Sequence, residues 1–321
     1  MQHVVNFSSP ALAGTALLGG LTVLILGGEM LISGAIKIAA RLRMSSFLIG
    51  LTVVAFGTSL PELFVSLKAA WRGHPDIMLG NIVGSNIANI GLVLAIAALL
   101  YPLTVRFKDL ARELYLLLTV SLVLLIAAWF GYFPRPLGIL FIALLIIYTI
   151  RACRVEGAKH KSQLPAIEEQ PPAAGLTRIT LLCGGGLLCM WFGSDYFIKG
   201  AVDLARLFGL PEMVIGLTMA AVGTSLPELA SSISAIRRRE GDIVVGNILG
   251  SNLFNLLMVM GCTGIIIPFK LPASALQRDI PIMTAFVLLL LPASLWRQQK
   301  LGRAYGALLL ILYIGYIFLI A

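Results

Sequence analysis

The chain has 321 residues, of which 59% are apolar and only 12% charged, with a formal net charge of +9. This composition excludes an ordinary soluble domain and fits a polypeptide that lies largely in lipid. It also excludes nucleic-acid binding, because no compact basic segment remains to carry it, and the positive surplus reads as loop charge that sets membrane orientation.

A membrane-crossing helix needs about 20 mostly apolar residues. Ten such stretches can be placed, at 12–36, 46–70, 77–100, 113–131, 136–152, 177–198, 212–236, 243–267, 280–296 and 304–321. They predict an all-α integral membrane protein of ten transmembrane helices. The N-terminus lacks a basic n-region, so the first apolar stretch reads as a span and not as a signal peptide. That span carries Glu29 among Gly27, Gly28 and Gly34. The second carries Gly50-Leu51-Thr52 and then Ala55-Phe56-Gly57-Thr58-Ser59-Leu60-Pro61-Glu62-Leu63. The third carries Asp76-Ile77, Gly80-Asn81-Ile82, Gly84-Ser85-Asn86 and Asn89. Spans four and five, Leu114 to Ala128 and Leu137 to Ile150, have no interior charge and read as scaffold. Residues 153–176 form the longest polar connection, with prolines at 165, 171 and 172, and read as a linker.

The remainder repeats the beginning. Gly216-Leu217-Thr218, then Ala221 through Leu229, then Asp242-Ile243, Gly246-Asn247-Ile248, Gly250-Ser251-Asn252 and Asn255 return the same pattern at a constant offset of 166. At that offset Asp195, between Gly193 and Gly200, answers Glu29. Glu29 and Asp195 read first as partners for a neighbouring polar group in the bundle, with a place at the mouth of an ion path as the alternative. The domain reading is therefore a first repeat at 1–152, a linker at 153–176 and a second repeat at 177–321. Five spans per repeat is an odd number, so the second repeat enters the membrane from the opposite face, giving two inverted five-helix repeats. The loops after odd-numbered spans hold 17 of the 24 lysines and arginines, which predicts a cytoplasmic linker and both termini outside.

The repeated motifs place Thr58, Ser59 and Glu62 on one helix face, at spacings of three and four residues, and Thr224, Ser225 and Glu228 on the other. Pro61 and Pro227 remove a helical N–H, and Gly57 and Gly223 permit a break, so nearby carbonyls can turn toward a ligand. Free carbonyls at membrane depth persist only where they line a cavity or meet a partner. Ser85 and Asn89, and Ser251 and Asn255, are again four apart. Gly80 and Gly84, like Gly246 and Gly250, make faces that allow close helix approach. Inverted symmetry brings both sets to the midplane. The pocket then offers two carboxylates, hydroxyls and amide oxygens. It holds no imidazole, since His3, His74 and His160 lie in terminal or loop sequence, and no thiol, since Cys153, Cys183, Cys189 and Cys262 read as small buried apolar groups. That is the donor set of a hard cation such as calcium. When calcium leaves, two carboxylates in low dielectric need another cation, either sodium ions or protons, which is the physical basis for exchange.

At these residues the sequence resembles the cation/calcium exchanger superfamily, and most closely its prokaryotic sodium/calcium exchanger-like branch. The Gly57-to-Glu62 and Gly80-to-Asn86 segments, with their second copies, look like that family's two alpha repeats. The resemblance implies an ion site with carboxylates from Glu62 and Glu228, hydroxyls or carbonyls from Thr58 and Thr224, and hydroxyls from Ser59, Ser225, Ser85 and Ser251. Backbone carbonyls of Ala55 and Ala221 and the amide oxygen of Asn89 add to it, and Asn255 is its remaining position. Several relatives, potassium-dependent ones among them, carry an aspartate where this chain has Asn255. The amide removes one charge, makes the site more symmetric and weakens a case for potassium. The resemblance also implies a gate of spans one and six that slides against the core.

The expected function is a secondary antiporter, not an enzyme. It exports calcium against sodium by alternating access across a prokaryotic cytoplasmic membrane, as a monomer in the bilayer and without a cofactor. Calcium/proton exchange at the same site is the near alternative. A passive cation channel is the alternative from another class, and it is disfavoured because channels place rings of ligands around an axis.

Overall fold

The structure, a computed structural model, describes residues 7, 9–42, 44–104, 107–163, 175–208, 223–295 and 300–320. Long apolar runs become helices because a backbone in lipid must satisfy its own hydrogen bonds. Helix α1 is Pro10–Leu42, α2 is Ser46–Trp71, α3 is Pro75–Leu100, α4 is Phe107–Trp129 and α5 is Arg135–Gln163. In the second half α6 is Leu176–Leu207, α7 is Leu226–Arg237, α8 is Gly241–Ile266, α9 is Ala275–Pro292 and α10 is Arg303–Ile320. Among the described residues, nine helices are long and apolar enough to cross a membrane. The span expected at 212–236 is described only from Gly223 onward.

The two halves run in opposite directions. Gly20 of α1 lies against Gly193 of α6, Gly27 against Gly186, and Ala13 against Gly200, so the numbers rise along one helix as they fall along the other. These contacts exist because the glycines have no side chain. A Cβ on Gly27 would sit 2.7 Å from the Met190 nitrogen and 2.8 Å from the Gly186 oxygen. A face of small residues lets two backbones meet directly, which drives helix association where lipid removes the hydrophobic effect.

The other helices form the core. Helix α8 is its centre, with every residue of Ile243–Phe254 buried. Gly246 and Gly250 let it press on α2, where added Cβ atoms would come within 2.9 Å of the Leu51 nitrogen and 2.6 Å of the Ala55 Cβ.

Several features differ from the sequence reading. Helix α5 continues to Gln163, so residues 153–163 of the expected linker extend the span before them; residues 164–174 lie outside the described set. Two small ladders join the halves: β1, Leu103–Thr104, pairs antiparallel with β4, Lys300–Leu301, and β2, Tyr132–Phe133, pairs with β3, Phe269–Lys270. Scaffold helix α4 carries a fully buried acid at its edge. Glu113 Oε1 accepts from the Tyr148 hydroxyl at 2.8 Å and from Arg112 Nη2 at 2.8 Å, tying α4 to α5.

Candidate cation site

Helix α2 is broken where its motif lies. It comprises helical turns at Ser46–Ile49 and Ala55–Thr58, a wide-turn π-helical segment at Gly50–Val54, and a final helix Leu60–Trp71. Pro61 stands in the first turn of that last helix, and Pro227 in the first turn of α7. Their missing N–H groups thus fall where a helix has no use for one. The prolines start helices, whereas the sequence reading had them interrupt one. Glu62 and Glu228 consequently lie in first turns, where the positive end of the helix dipole favours negative charge. Gly57 has ordinary helical backbone, and its value is space: a Cβ there would meet Leu187 of α6 at 2.6 Å. The carbonyl of Gly223 is not free, because Ser194 of α6 donates its hydroxyl to it at 3.2 Å.

Helices α3 and α8 carry the other ligand candidates, and both widen into π-helix at the expected asparagine, over Asn89–Leu94 and Asn255–Val259. A π segment shifts the hydrogen-bond register by one residue and is frequent at functional sites.

The four elements meet in the middle of the core. Hydroxyls from opposite halves touch as a two-fold-related couple: Thr58 Oγ1 lies 3.3 Å from Ser251 Oγ, and Thr224 Oγ1 lies 2.9 Å from Ser85 Oγ. Glu62, Glu228, Asn89, Asn255, Ser251, Thr58 and Ser59 have no solvent exposure, and Ser225 and Ser85 have 1% and 3%. Both oxygens of Glu62 and both of Glu228 are buried without a hydrogen-bond partner, as are Ser59 Oγ, Ser225 Oγ, Asn89 Oδ1 and Asn255 Oδ1. The hydroxyls of Thr58 and Ser251 reach toward Glu228, but no hydrogen bond of normal geometry forms to either of its oxygens.

Of the twelve expected ligands, eleven lie among the described residues, and Ala221 lies outside them. Ala55 is buried, but its carbonyl already accepts from the Ser59 N–H at 3.0 Å and from the Thr58 hydroxyl at 3.4 Å. The expectation gave no role to a surrounding layer of amides. Asn247 donates to Ser231 Oγ at 3.2 Å and turns its Oδ1 to Thr58 Oγ1 at 3.4 Å; Asn81 donates to Ser66 Oγ at 2.9 Å and to the Glu62 carbonyl at 3.3 Å. Their signal in the sequence was the repetition of Gly-Asn in both halves.

Beside the site lies a cavity of about 880 Å³, lined by Pro61, Asn81, Gly84, Gly223 and Thr224 and by three acids, Asp76, Asp195 and Asp279. Glu29 and Asp195, the answering acids of α1 and α6, both have partners. Glu29 bridges to Arg237 at 3.3 Å and to Arg238 at 2.9 Å, at the far end of α7, whereas Asp195 pairs with Lys199 of its own helix at 2.7 Å.

Two anti-parallel halves with a shared, anion-lined centre match a known family. The profile described as "Sodium/calcium exchanger protein" covers residues 12–154 and 178–321. The chain belongs to the sodium/calcium exchanger family. The exchanger is 38% identical over 308 residues to the "Putative antiporter CaxA" of Alkalimonas amylolytica, covering 94% of this chain and 96% of that one. It is 31% identical over 341 aligned residues to "Sodium/calcium exchanger MaX1" of Methanosarcina acetivorans, covering 94% and 96%. Its fold matches a solved structure of the sodium-calcium exchanger NCX_Mj, soaked with zero Na+ and Ca2+, with a TM-score of 0.82 at 30% identity, covering 98% of this chain and all of the other. Family membership makes the chain a multi-pass membrane transporter and not an enzyme.

Proposed function

We propose that the exchanger moves calcium out of the cell against an inward flux of sodium, by alternating access at the site between α2, α3, α7 and α8. The supporting observation is the pair of buried carboxylates, Glu62 and Glu228, whose four oxygens have no protein partner. An unpaired anion in low dielectric is strongly disfavoured, and two of them balance a divalent ion. The hydroxyls of Thr58, Ser59, Ser85, Thr224, Ser225 and Ser251 and the amide oxygens of Asn89 and Asn255 supply the six to eight oxygens calcium takes. Once calcium leaves, sodium ions replace it on the same oxygens, so that neither leg crosses the membrane with the carboxylates bare. In this reading both termini lie outside and residues 153–176 in the cytoplasm, which the excess of lysine and arginine in the loops after odd-numbered spans supports, and the protein works as a monomer in a prokaryotic cytoplasmic membrane.

The test is calcium uptake into sodium-loaded proteoliposomes at clamped pH. Uptake that follows the sodium gradient supports the proposal. Uptake that ignores sodium and follows a pH gradient makes the exchanger a calcium/proton antiporter, and flux with no counter-ion makes it a channel. Cysteine labelling of the 164–174 stretch from one side and then the other tests orientation; access from outside overturns it.

A further inference from the structure

An asparagine amide has two unlike ends. Its oxygen attracts a cation and its NH2 group repels one, so an asparagine ligand is useful only when the amide is held the right way round. In this exchanger Asn89 is held. Its Nδ2 donates to Asn252 Oδ1 at 3.0 Å, across the interface between the halves, and its Oδ1 is left buried and free. Asn252 is fixed in turn by donating to the Asn86 carbonyl at 3.4 Å, and Asn86 donates to the Ile82 carbonyl at 2.7 Å. None of Asn86, Asn89, Asn252 and Asn255 is more than 1% exposed, so bulk water cannot do this work.

The repeat offset relates Asn89 to Asn255 and Asn252 to Asn86. The counterpart of the Asn89–Asn252 bond is therefore Asn255 Nδ2 to Asn86 Oδ1. That bond is open here: Asn255 Nδ2, Asn255 Oδ1 and Asn86 Oδ1 are all buried and unpartnered. A lone buried amide with neither end satisfied is expensive to leave, and it has one symmetry-related acceptor available.

We propose that Asn252 and Asn86 are positioning residues: each accepts the NH2 of the ligand asparagine from the opposite repeat, Asn89 and Asn255 respectively, so that the ligand presents oxygen to the cation. The proposal rests on the site reading above. It has a consequence that a purely structural role lacks. A carboxylate has two equivalent oxygens and no wrong way round, so an aspartate in the ligand position does not need its clamp.

The experiment is a pair of double-mutant comparisons, reading the calcium KM and the maximal rate in proteoliposomes normalised for folded protein. Asn252→Leu in the native background should raise the calcium KM about tenfold, the equivalent of ~1.4 kcal/mol. In an Asn89→Asp background the same change should leave KM within about twofold. Asn86→Leu should behave likewise against native Asn255 and against Asn255→Asp. Asn252→Asp, which keeps the acceptor, should retain near-native KM, and if Asn252→Leu does not fold, Asn252→Ala takes its place in both backgrounds. Equal penalties in both backgrounds, or a loss in Asn252→Asp as large as in Asn252→Leu, overturn the proposal. Glu62→Gln is measured alongside. Normal transport by that variant defeats the site reading itself, while a dead Glu62→Gln with equal Asn252→Leu penalties defeats only the positioning role.

Discussion

The acids of α1 and α6 occupy equivalent places in the two repeats and have different partners. Glu29 is tied to the arginines at the end of α7, whereas among the described residues Asp195 pairs with Lys199 of its own helix. The glycines of α8, Gly246 and Gly250, are pressed against α2 with no room for a methyl group, and their counterparts Gly80 and Gly84 line the cavity. A molecule that obeyed its two-fold axis fully would open to both faces of the membrane or to neither. Repeated sequence supplies matching parts, and the conformation must break the match for one face to be treated differently from the other.

The largest effect should come from the site to which each half supplies a carboxylate. Glu62→Gln or Glu228→Gln removes a charge that balances a divalent ion. By analogy with breaking a buried ion pair, at ~3–5 kcal/mol, calcium flux should fall at least a hundredfold in either variant. Near-native flux from either of them would overturn the paired-carboxylate site. Protons compete for the same carboxylates, so calcium affinity should weaken as pH falls, by up to about tenfold per pH unit for each proton displaced. Flux measured across a pH series with sodium held constant shows this, and a flat profile contradicts it.

The close packing of α8 on α2 predicts a loss of stability when it is overfilled. Gly250→Ala should lower the thermal midpoint in detergent, since overpacking costs ~1–3 kcal/mol. An unchanged midpoint would mean that α8 does not press on α2 there. The smallest effect concerns the acids. Glu29→Gln removes the ion pairs that α1 makes with the end of α7, but partly exposed ion pairs contribute only ~0–1 kcal/mol, so transport should change a few-fold, and Asp195→Asn should change it less. Initial-rate measurements on both variants rank them, and a larger effect at Asp195 would reverse the assignment of the fixed side.

Much of this was legible in the chain itself. The spans follow from apolar length, the inversion from five spans per repeat, and the site from carboxylates and hydroxyls recurring at one offset. What stayed hidden depends on partners that a linear pattern does not encode. Nothing in Asn89–Leu94 marks it for π-helical pairing, because the register shift answers to neighbours packed around α3. Glu113 reads as the polar edge of a span, and only the approach of Tyr148 from the next helix makes it an interior group. Pro61 was read by its power to interrupt a helix, yet its effect depends on whether a turn precedes it, and Ser59 already breaks the chain there. The ladders pair residues more than 130 positions apart through two residues each, too few to leave a strand pattern.

The glycine-faced pair α1 and α6 has 33 and 32 residues. At ~1.5 Å per residue each helix reaches about 50 Å, well beyond a hydrocarbon layer of ~30 Å. Helices of that length must tilt or carry their ends into the headgroups, and because no side chain separates the two, they tilt as a single plank. Large apolar side chains of the pair, among them Leu18, Leu26, Leu181, Leu188 and Phe192, are exposed on the outside of the bundle. In a bilayer such a flank belongs against acyl chains, so the thickness of the membrane becomes a constraint on how far the pair leans.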